Sequence, residues 1–268
     1  MIAEMLTCIA LNVYYEARSE PLEGQYAVAH VVLNRVADDK FPNDACKVVY
    51  QGLEKGRGLQ AFWHNETLSK VASKFEGALT HLDYATGPGT LIGKYTQSNS
   101  LGVDLSTSQI NYANQKYGEK GEFKTIKEFQ FQHYQNKFDV ITVIGLLEFL
   151  SIQQAKQLLK NLKKTLKKNG TIILTTPNYG GVFNYLQKFA YIFSDVNYEE
   201  ALETKYTQKK IDALILNENF SSIKVNKFMT FAWALSLVSF RLAKVLNNFL
   251  ENITQNKFGF LYMIEIKK

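Results

Sequence analysis

Leu82-Asp83-Tyr84-Ala85-Thr86-Gly87-Pro88-Gly89-Thr90-Leu91 is the stretch whose reading decides the fold. The run from Leu79 to Tyr84 reads as a short strand that enters a turn with glycine at two closely spaced positions. Without Cβ atoms there, a ligand can lie against the backbone. A helix beginning near Leu91 turns its free N–H groups toward the same ligand. Leu101 to Asp104 reads as the next strand, and Ser106 or Thr107 caps a helix through Tyr117. Asp104 thus lies 15 residues past Gly89. In a doubly wound sheet that carboxylate stands beside the turn, where it can accept hydrogen bonds from a ribose diol. The spacing points to a nucleoside-containing ligand. A phosphate-binding loop is disfavoured, because no Gly-Lys-Ser/Thr follows; a dinucleotide fold stays open on these residues.

The strand–helix alternation continues outward. Phe123 to Ile126 reads as a weak third strand. Phe138 to Ile144 is a near-continuous apolar run, as expected of a buried parallel strand, with Asp139 a strand-start residue held by backbone bonds. Ser151 is expected to cap a helix over 152–168, with Lys163, Lys164, Lys167 and Lys168 at its negative end and Gly170 at C′. Thr171 to Thr176, helix 208–217, strand 222–227 and Phe258 to Lys267 complete the pattern. Repeated β-α units predict an α/β fold, a parallel sheet with helices on both faces.

Four stretches, His81 to Leu91, Gly102 to Ser106, Phe138 to Val143 and Gly170 to Pro177, resemble in this order the motifs of class I S-adenosylmethionine-dependent methyltransferases. The likeness covers about residues 58–268, since Leu59 to Asn65 is similar to the segment before the first strand of such enzymes. It implies a Rossmann-like doubly wound sheet of the class I methyltransferase type, with S-adenosyl-L-methionine as cofactor. On this resemblance Asp83, Gly87 and Gly89 surround the methionine part, and Asp104, followed by Leu105, holds the ribose. Ile144 and Gly145 lie beside the sulfonium, and Glu128 or Phe129 lies near the adenine. Ala85 stands where the family usually has the first glycine of the turn, a methyl group that is either tolerated or weakens binding.

Methyl transfer from a sulfonium is an in-line displacement that needs alignment and a dry site, so no triad or metal cluster is expected, and none is visible. Relatives often place a His after the Glu beyond the fourth strand; here the pair is Glu148-Phe149. The general base is left unassigned, with Tyr179, Tyr185 and His133 read first as packing or surface residues. Pro177 to Asp195 is dense in aromatics and reads equally as a lid over an apolar acceptor or as core helix. Phe228 to Leu250 is apolar for 13 residues and then carries Arg241 and Lys244 among leucines. It reads either as a packing helix or as an amphipathic insertion lying in a membrane interface. A small or lipid-linked acceptor follows. The lysines are dispersed with no base-stacking motif, which ranks nucleic acid lower.

The first 52 residues are different. They hold four Lys/Arg against seven Asp/Glu, while the remainder holds 27 against 18. Gly52 to Gly58 reads as a linker at this charge break, giving 1–52, a linker 53–58 and a domain 59–268. Residues 3–17 and 22–37 read as helices, the second largely buried, and Asp44 as the cap of a short helix over 45–50. No signal or spanning segment is read, so the expected place is the cytoplasm, peripheral at the inner membrane face if the insertion docks there. Cys8 and Cys46 would be reduced there and act as small buried apolar residues. Tyr14 to Pro21, Glu23 to Ala29, Val32 to Val36, Phe41-Pro42-Asn43 and Cys46 to Gln51 resemble cell-wall hydrolases related to spore-cortex lytic enzymes. That resemblance implies Glu16 as the acid protonating a glycosidic oxygen of peptidoglycan. The likeness stops near Gln51, so this part is read as a truncated fragment fused to the methyltransferase-like part. Peptidoglycan hydrolysis is the alternative function, and a non-catalytic fusion or binding module the second alternative.

Overall fold

The computed structural model describes residues 2–17, 22–39, 43–49, 59–75, 77–96, 99–192, 202–216 and 219–268. The linker 53–58 and the motif residues Arg18 to Pro21 and Phe41-Pro42 lie outside the described residues, as does the side chain of Glu16.

Helices α1 (Ile2–Ala17), α2 (Leu22–Val36) and α3 (residues 45–49) come first. Asp44 caps α3, accepting the Lys47 N–H at 2.9 Å. Ile9, Val32, Ala45 and Val48 form their buried cluster. The expectation that α2 is largely buried is not met: Tyr26, Val31 and Leu33 are exposed. Apolar residues on more than one side of α2 need cover on more than one side, and its main described contact is with α1. The expectation of two reduced thiols also differs from the structure, which joins Cys8 and Cys46 in a disulfide with Cα atoms 5.2 Å apart. The folding of α1 and α3 onto one cluster brings the two cysteines within bonding reach, which their separation in sequence does not reveal.

The rest is a seven-stranded sheet in the order β3-β2-β1-β4-β5-β7-β6. Its strands are β1 (Thr80–Tyr84), β2 (Asn99–Asp104), β3 (Glu122–Thr125), β4 (Phe138–Ile144), β5 (Leu166–Pro177), β6 (Ser222–Phe228) and β7 (Leu261–Lys267). All pairs are parallel except those of β7, which runs antiparallel between β5 and β6. Alternation builds two cores. Ile141 and Val143, Ile172 and Leu174, and Ile264 and Ile266 face α7 (Ile152–Thr165) and α9 (Gln208–Ile215). Val140, Ile173 and Met263 face Phe62, Leu68 and Val71 of α4 (Leu59–Ala72), with Leu91 of α5 (Thr90–Tyr95) and Phe183 of α8 (Phe183–Ile192). On the β2–β3 side, α6 (Thr107–Tyr117) buries Ile110 and Ala113 against Phe123.

Asp139, at the start of β4, is held by backbone bonds from the start of β1: its Oδ2 accepts the N–H groups of Leu79 and Thr80, with Lys167 adding an ion pair at 3.0 Å. The helix over 152–168 ends earlier than its lysines suggest. Ser151 caps α7 in a capping box, but the helix stops at Thr165, and Lys167 and Lys168 belong to β5. Asn169 takes the left-handed conformation instead of Gly170. Gly170 is needed for close approach, since a Cβ there would lie 2.7 Å from Leu166 Cγ. Pairing of Leu166 with Phe138 extends the strand and wins over helix propensity.

Between β6 and β7 lie a 3-10 helix, Phe231–Leu237, and α10 (Phe240–Ile253). The insertion is therefore helical, as expected, and its apolar stripe faces outward. Asn247 and Glu251 face inward, and Leu242, Val245, Phe249 and Ile253 face out. The turn after β6 explains this. Glu251 Oε1 accepts the Met229 N–H and Asn247 Oδ1 accepts the Thr230 N–H, both at 2.8 Å, while Lys70 reaches Glu251 Oε2 at 2.7 Å. Buried backbone donors need partners, and the inward side of α10 supplies them.

Candidate cofactor site

The turn after β1 is built on a fully buried polar ladder. Asp83 accepts from the Thr86 hydroxyl at 2.7 Å and from the Thr142 hydroxyl at 2.6 Å. Register places Thr142 of β4 directly beside Asp83. Thr142 in turn lies 2.8 Å from His81 Nε2, and His81 Nδ1 lies 3.1 Å from Ser100 Oγ. With Thr142 donating to the carboxylate, His81 must carry its proton on Nε2 and accept from Ser100. Burial drives the His81 imidazole down to about 3, so it is neutral, and lifts Asp83 to about 6. His81 and Asp83 share one face of β1, a polar period of two inside an apolar strand. That pattern was the available signal for His81, whose supporting role the motif reading missed.

The turn divides its tasks among three residues. Ala85 adopts φ 67°, a left-handed conformation that favours glycine, and its N–H donates to Val103 at 2.8 Å. Gly87, at φ 56°, is open: a Cβ there would meet Gln109 Oε1 at 3.6 Å and nothing nearer. Gly89, at φ 74°, is closed in by packing, since its Cβ would lie 2.6 Å from Phe123 Cε1 and 2.9 Å from Ala113 Cβ. So Gly87 leaves space beside the turn and Gly89 lets α6 and β3 approach. Asp104 joins the two strand ends: Oδ2 accepts the Gly87 N–H and Oδ1 the Ser106 N–H, both at 2.9 Å. Leu105 is exposed beside it. The Gln109 Oε1 atom is buried and has no hydrogen-bond partner among the described residues. An unsatisfied acceptor beside an open glycine fits a ligand that carries hydrogen-bond donors, as S-adenosylmethionine does.

The other expected residues lie at the same carboxyl end of the sheet or at its margin. Ile144 ends β4 and Gly145 follows at φ 64°. Glu128 uses its carboxylate to cap the turn after β3, accepting the Thr125 N–H and hydroxyl, both at 2.7 Å. Its neighbour Phe129 is buried among Tyr84, Phe131 and Tyr134. Of the residues considered as a base, Tyr185 is exposed and Tyr179 is buried under the segment that carries Tyr206. Phe183 packs with Phe258 and Phe260, so that part of the aromatic stretch is core, while residues 193–195 lie outside the described residues. Among the described residues no group of three His, Cys, Asp or Glu could hold a metal ion.

Parallel strands whose carboxyl ends present a glycine turn, a second-strand acid and a left-handed glycine after β4 make up a sheet of the class I methyltransferase type. Residues 82–172 match the family described as Methyltransferase domain, and residues 19–78 match the family described as Cell Wall Hydrolase. The chain thus resembles methyltransferases over most of its parallel sheet and cell-wall hydrolases over a stretch that begins before it, each match covering less than half of the chain.

A SAM-dependent methyltransferase from Archaeoglobus fulgidus has the same fold, with a TM-score of 0.55 at 18% identity, covering 82% of this chain and 99% of that one. Magnesium protoporphyrin IX methyltransferase from Synechocystis PCC 6803 with bound SAH gives 0.53 at 15% identity, covering 97% and 98%. The spore cortex-lytic enzyme of Bacillus subtilis (strain 168) is 49% identical over 45 residues, which are 17% of this chain and 15% of that enzyme. The chain therefore spans a small part of that relative. The hydrolase match runs through α4 to residue 78, although Phe62, Leu68 and Val71 of α4 are buried against the sheet.

Proposed function

We propose that the chain methylates a small or lipid-linked acceptor that it meets at an anionic membrane surface. The observation that carries this reading is the outward apolar face of α10. Leu242, Val245, Phe249 and Ile253 recur at helical spacing on one exposed stripe, and Arg241 and Lys244 flank it. Val238 and Phe231 extend the exposed apolar surface into the preceding 3-10 helix. A stripe of this kind lies in the headgroup region with its basic side chains toward anionic lipid. No helix among the described residues is long and apolar enough to cross a membrane, so the contact proposed is peripheral.

S-adenosylmethionine supplies an activated methyl group on a cationic sulfur. The residues of the chain bind it, orient it and exclude water. In this reading Ala85 and Gly87 border its methionine part, while Asp83 and Gly89 hold the turn from behind. Asp104 has one oxygen engaged by Gly87 and the other by Ser106, which leaves each a lone pair for the ribose hydroxyls. Leu105 and the region of Glu128 flank the adenine, and Ile144 and Gly145 flank the sulfonium. The domain boundary is proposed at 53–58, where limited proteolysis should leave 59–268 folded.

Calorimetric titration with S-adenosylhomocysteine tests the cofactor site: binding that is lost in Asp104→Ala supports it. Sedimentation with phosphatidylcholine vesicles, with and without phosphatidylglycerol, tests the surface. Binding to the anionic vesicles should disappear in Leu242→Glu/Phe249→Glu, with S-adenosylhomocysteine affinity unchanged. The hydrolase match favours a second reading, peptidoglycan cleavage through Glu16. Release of muropeptides from purified sacculi, abolished by Glu16→Gln, would establish that one.

A further inference from the structure

The turn after β4 holds a charged side chain that the cofactor motifs do not use. The backbone carbonyl of Glu148 organises the chain above it, accepting the N–H groups of Glu203 at 2.9 Å and Thr204 at 3.0 Å. Its side chain is 6% exposed, and Oε2 accepts the Thr176 hydroxyl at 3.1 Å. The other oxygen, Oε1, borders the space over Gly145, 3.8 Å from where a Cβ on that glycine would stand. Tyr206 comes in from the segment 202–207. Its hydroxyl is buried, has no hydrogen-bond partner among the described residues, and lies within electrostatic reach of Glu148. The residue's own backbone N–H also supports the carboxylate, yet burial outweighs both bonds and makes its charge costly. A glutamine of the same shape would keep the Thr176 bond without a charge, so the fold alone does not call for an acid here.

We propose that the Glu148 carboxylate reads the charge of the bound cofactor, favouring S-adenosylmethionine, whose sulfur is cationic, over S-adenosylhomocysteine, whose sulfur is neutral. The proposal rests on the reading that Gly145 lines the sulfonium. A carboxylate on the open side of that glycine meets a positive charge in the donor and none in the by-product. The same group that holds the donor therefore loosens its hold on the spent cofactor.

Burial pushes Glu148 up to about 7, so its charge is set near neutrality. Tyr206 is pushed up to about 12 and stays neutral. From the 202–207 segment, Glu203 is exposed and Lys205 lies over the Tyr179 ring. Asp83, lifted to about 6, and Asp104 belong to the β1 and β2 ends. Glu148→Gln leaves both of them in place, so the comparison of parent and variant isolates the contribution of Glu148.

The test is calorimetric titration of the full chain with each ligand at about pH 5.5 and about pH 8.5, since deprotonation strengthens one affinity alone. The ratio of Kd for S-adenosylhomocysteine to Kd for S-adenosylmethionine should rise roughly tenfold across that range, as a screened charge pair allows. In Glu148→Gln the ratio should stay flat while S-adenosylhomocysteine affinity holds. A flat ratio in the parent, or the same rise in Glu148→Gln, overturns the proposal. If neither ligand binds the parent, the cofactor site itself is misassigned. Should Glu148→Gln not fold, Thr176→Val serves instead. Loss of its hydrogen bond must move the midpoint of the ratio to higher pH, and an unmoved midpoint overturns the proposal.

Discussion

Gly89→Ala separates what the turn does for the fold from what it does for a ligand. At φ 74° an L-residue costs about 1–2 kcal/mol. The new Cβ would also stand 2.6 Å from Phe123 Cε1 and 2.9 Å from Ala113 Cβ. Forcing a methyl group into a packed core costs about 1–3 kcal/mol more. The smaller conformational freedom of alanine in the unfolded chain returns about 0.4–1 kcal/mol. The net loss is about 3 kcal/mol, or a melting temperature lower by about 6–12 °C for a domain of this size.

Gly87→Ala makes the contrast. Its φ of 56° carries the same backbone cost, but the nearest atom to the new Cβ is Gln109 Oε1 at 3.6 Å. A net loss of about 1 kcal/mol, or about 2–4 °C, follows. Calorimetric melting of both variants checks the order, and titration with S-adenosylhomocysteine checks that Gly87→Ala loses affinity out of proportion to its stability. In a Phe123→Leu background the Gly89→Ala penalty should shrink, because the two changes share one space. The reasoning fails if Gly89→Ala melts no lower than Gly87→Ala, or if Phe123→Leu leaves its penalty unchanged.

Two further outcomes are expected. Ala85→Gly relieves a left-handed residue at φ 67° and should raise the melting temperature by about 1–3 °C, after the added freedom of glycine in the unfolded chain is subtracted. Cofactor affinity measured on the same variant tells whether the Ala85 methyl hinders binding: a first appearance of binding there would favour the non-catalytic module. Glu148→Gln should gain stability over the parent as pH rises. An acid whose folded pKa is raised from 4.5 to about 7 destabilises the fold once it ionises. The parent therefore loses about 3 kcal/mol relative to the variant between those pH values, and no more above them. Chemical denaturation of both proteins across that range checks the sign, and a difference that narrows with rising pH refutes it.

The β-α alternation was legible because the central strands, such as β4 and the Thr171–Thr176 part of β5, bury both faces and so read as apolar runs. The edge strands β3 and β6 do not. Capping residues were legible for the same local reason: Ser106 and Ser151 bond the N–H groups three residues on. Helix ends that depend on strand pairing were not, as Lys167 and Lys168 show. The glycine turn could be found, yet its two glycines looked alike. Their difference lies in Phe123 and Ala113, which approach Gly89 from other elements.

The sequence by itself determined the fold class, the order of the cofactor motifs and the presence of an amphipathic insertion, because periodicity and local hydrogen bonding act within a few residues. Only the tertiary structure decided which side of α10 faces out, that Cys8 meets Cys46, and that Glu148 lies buried beside Gly145. Each of these depends on what the rest of the chain brings to the residue. For α10 the deciding partners are the unpaired N–H groups of Met229 and Thr230, 17 to 22 residues before the side chains that satisfy them.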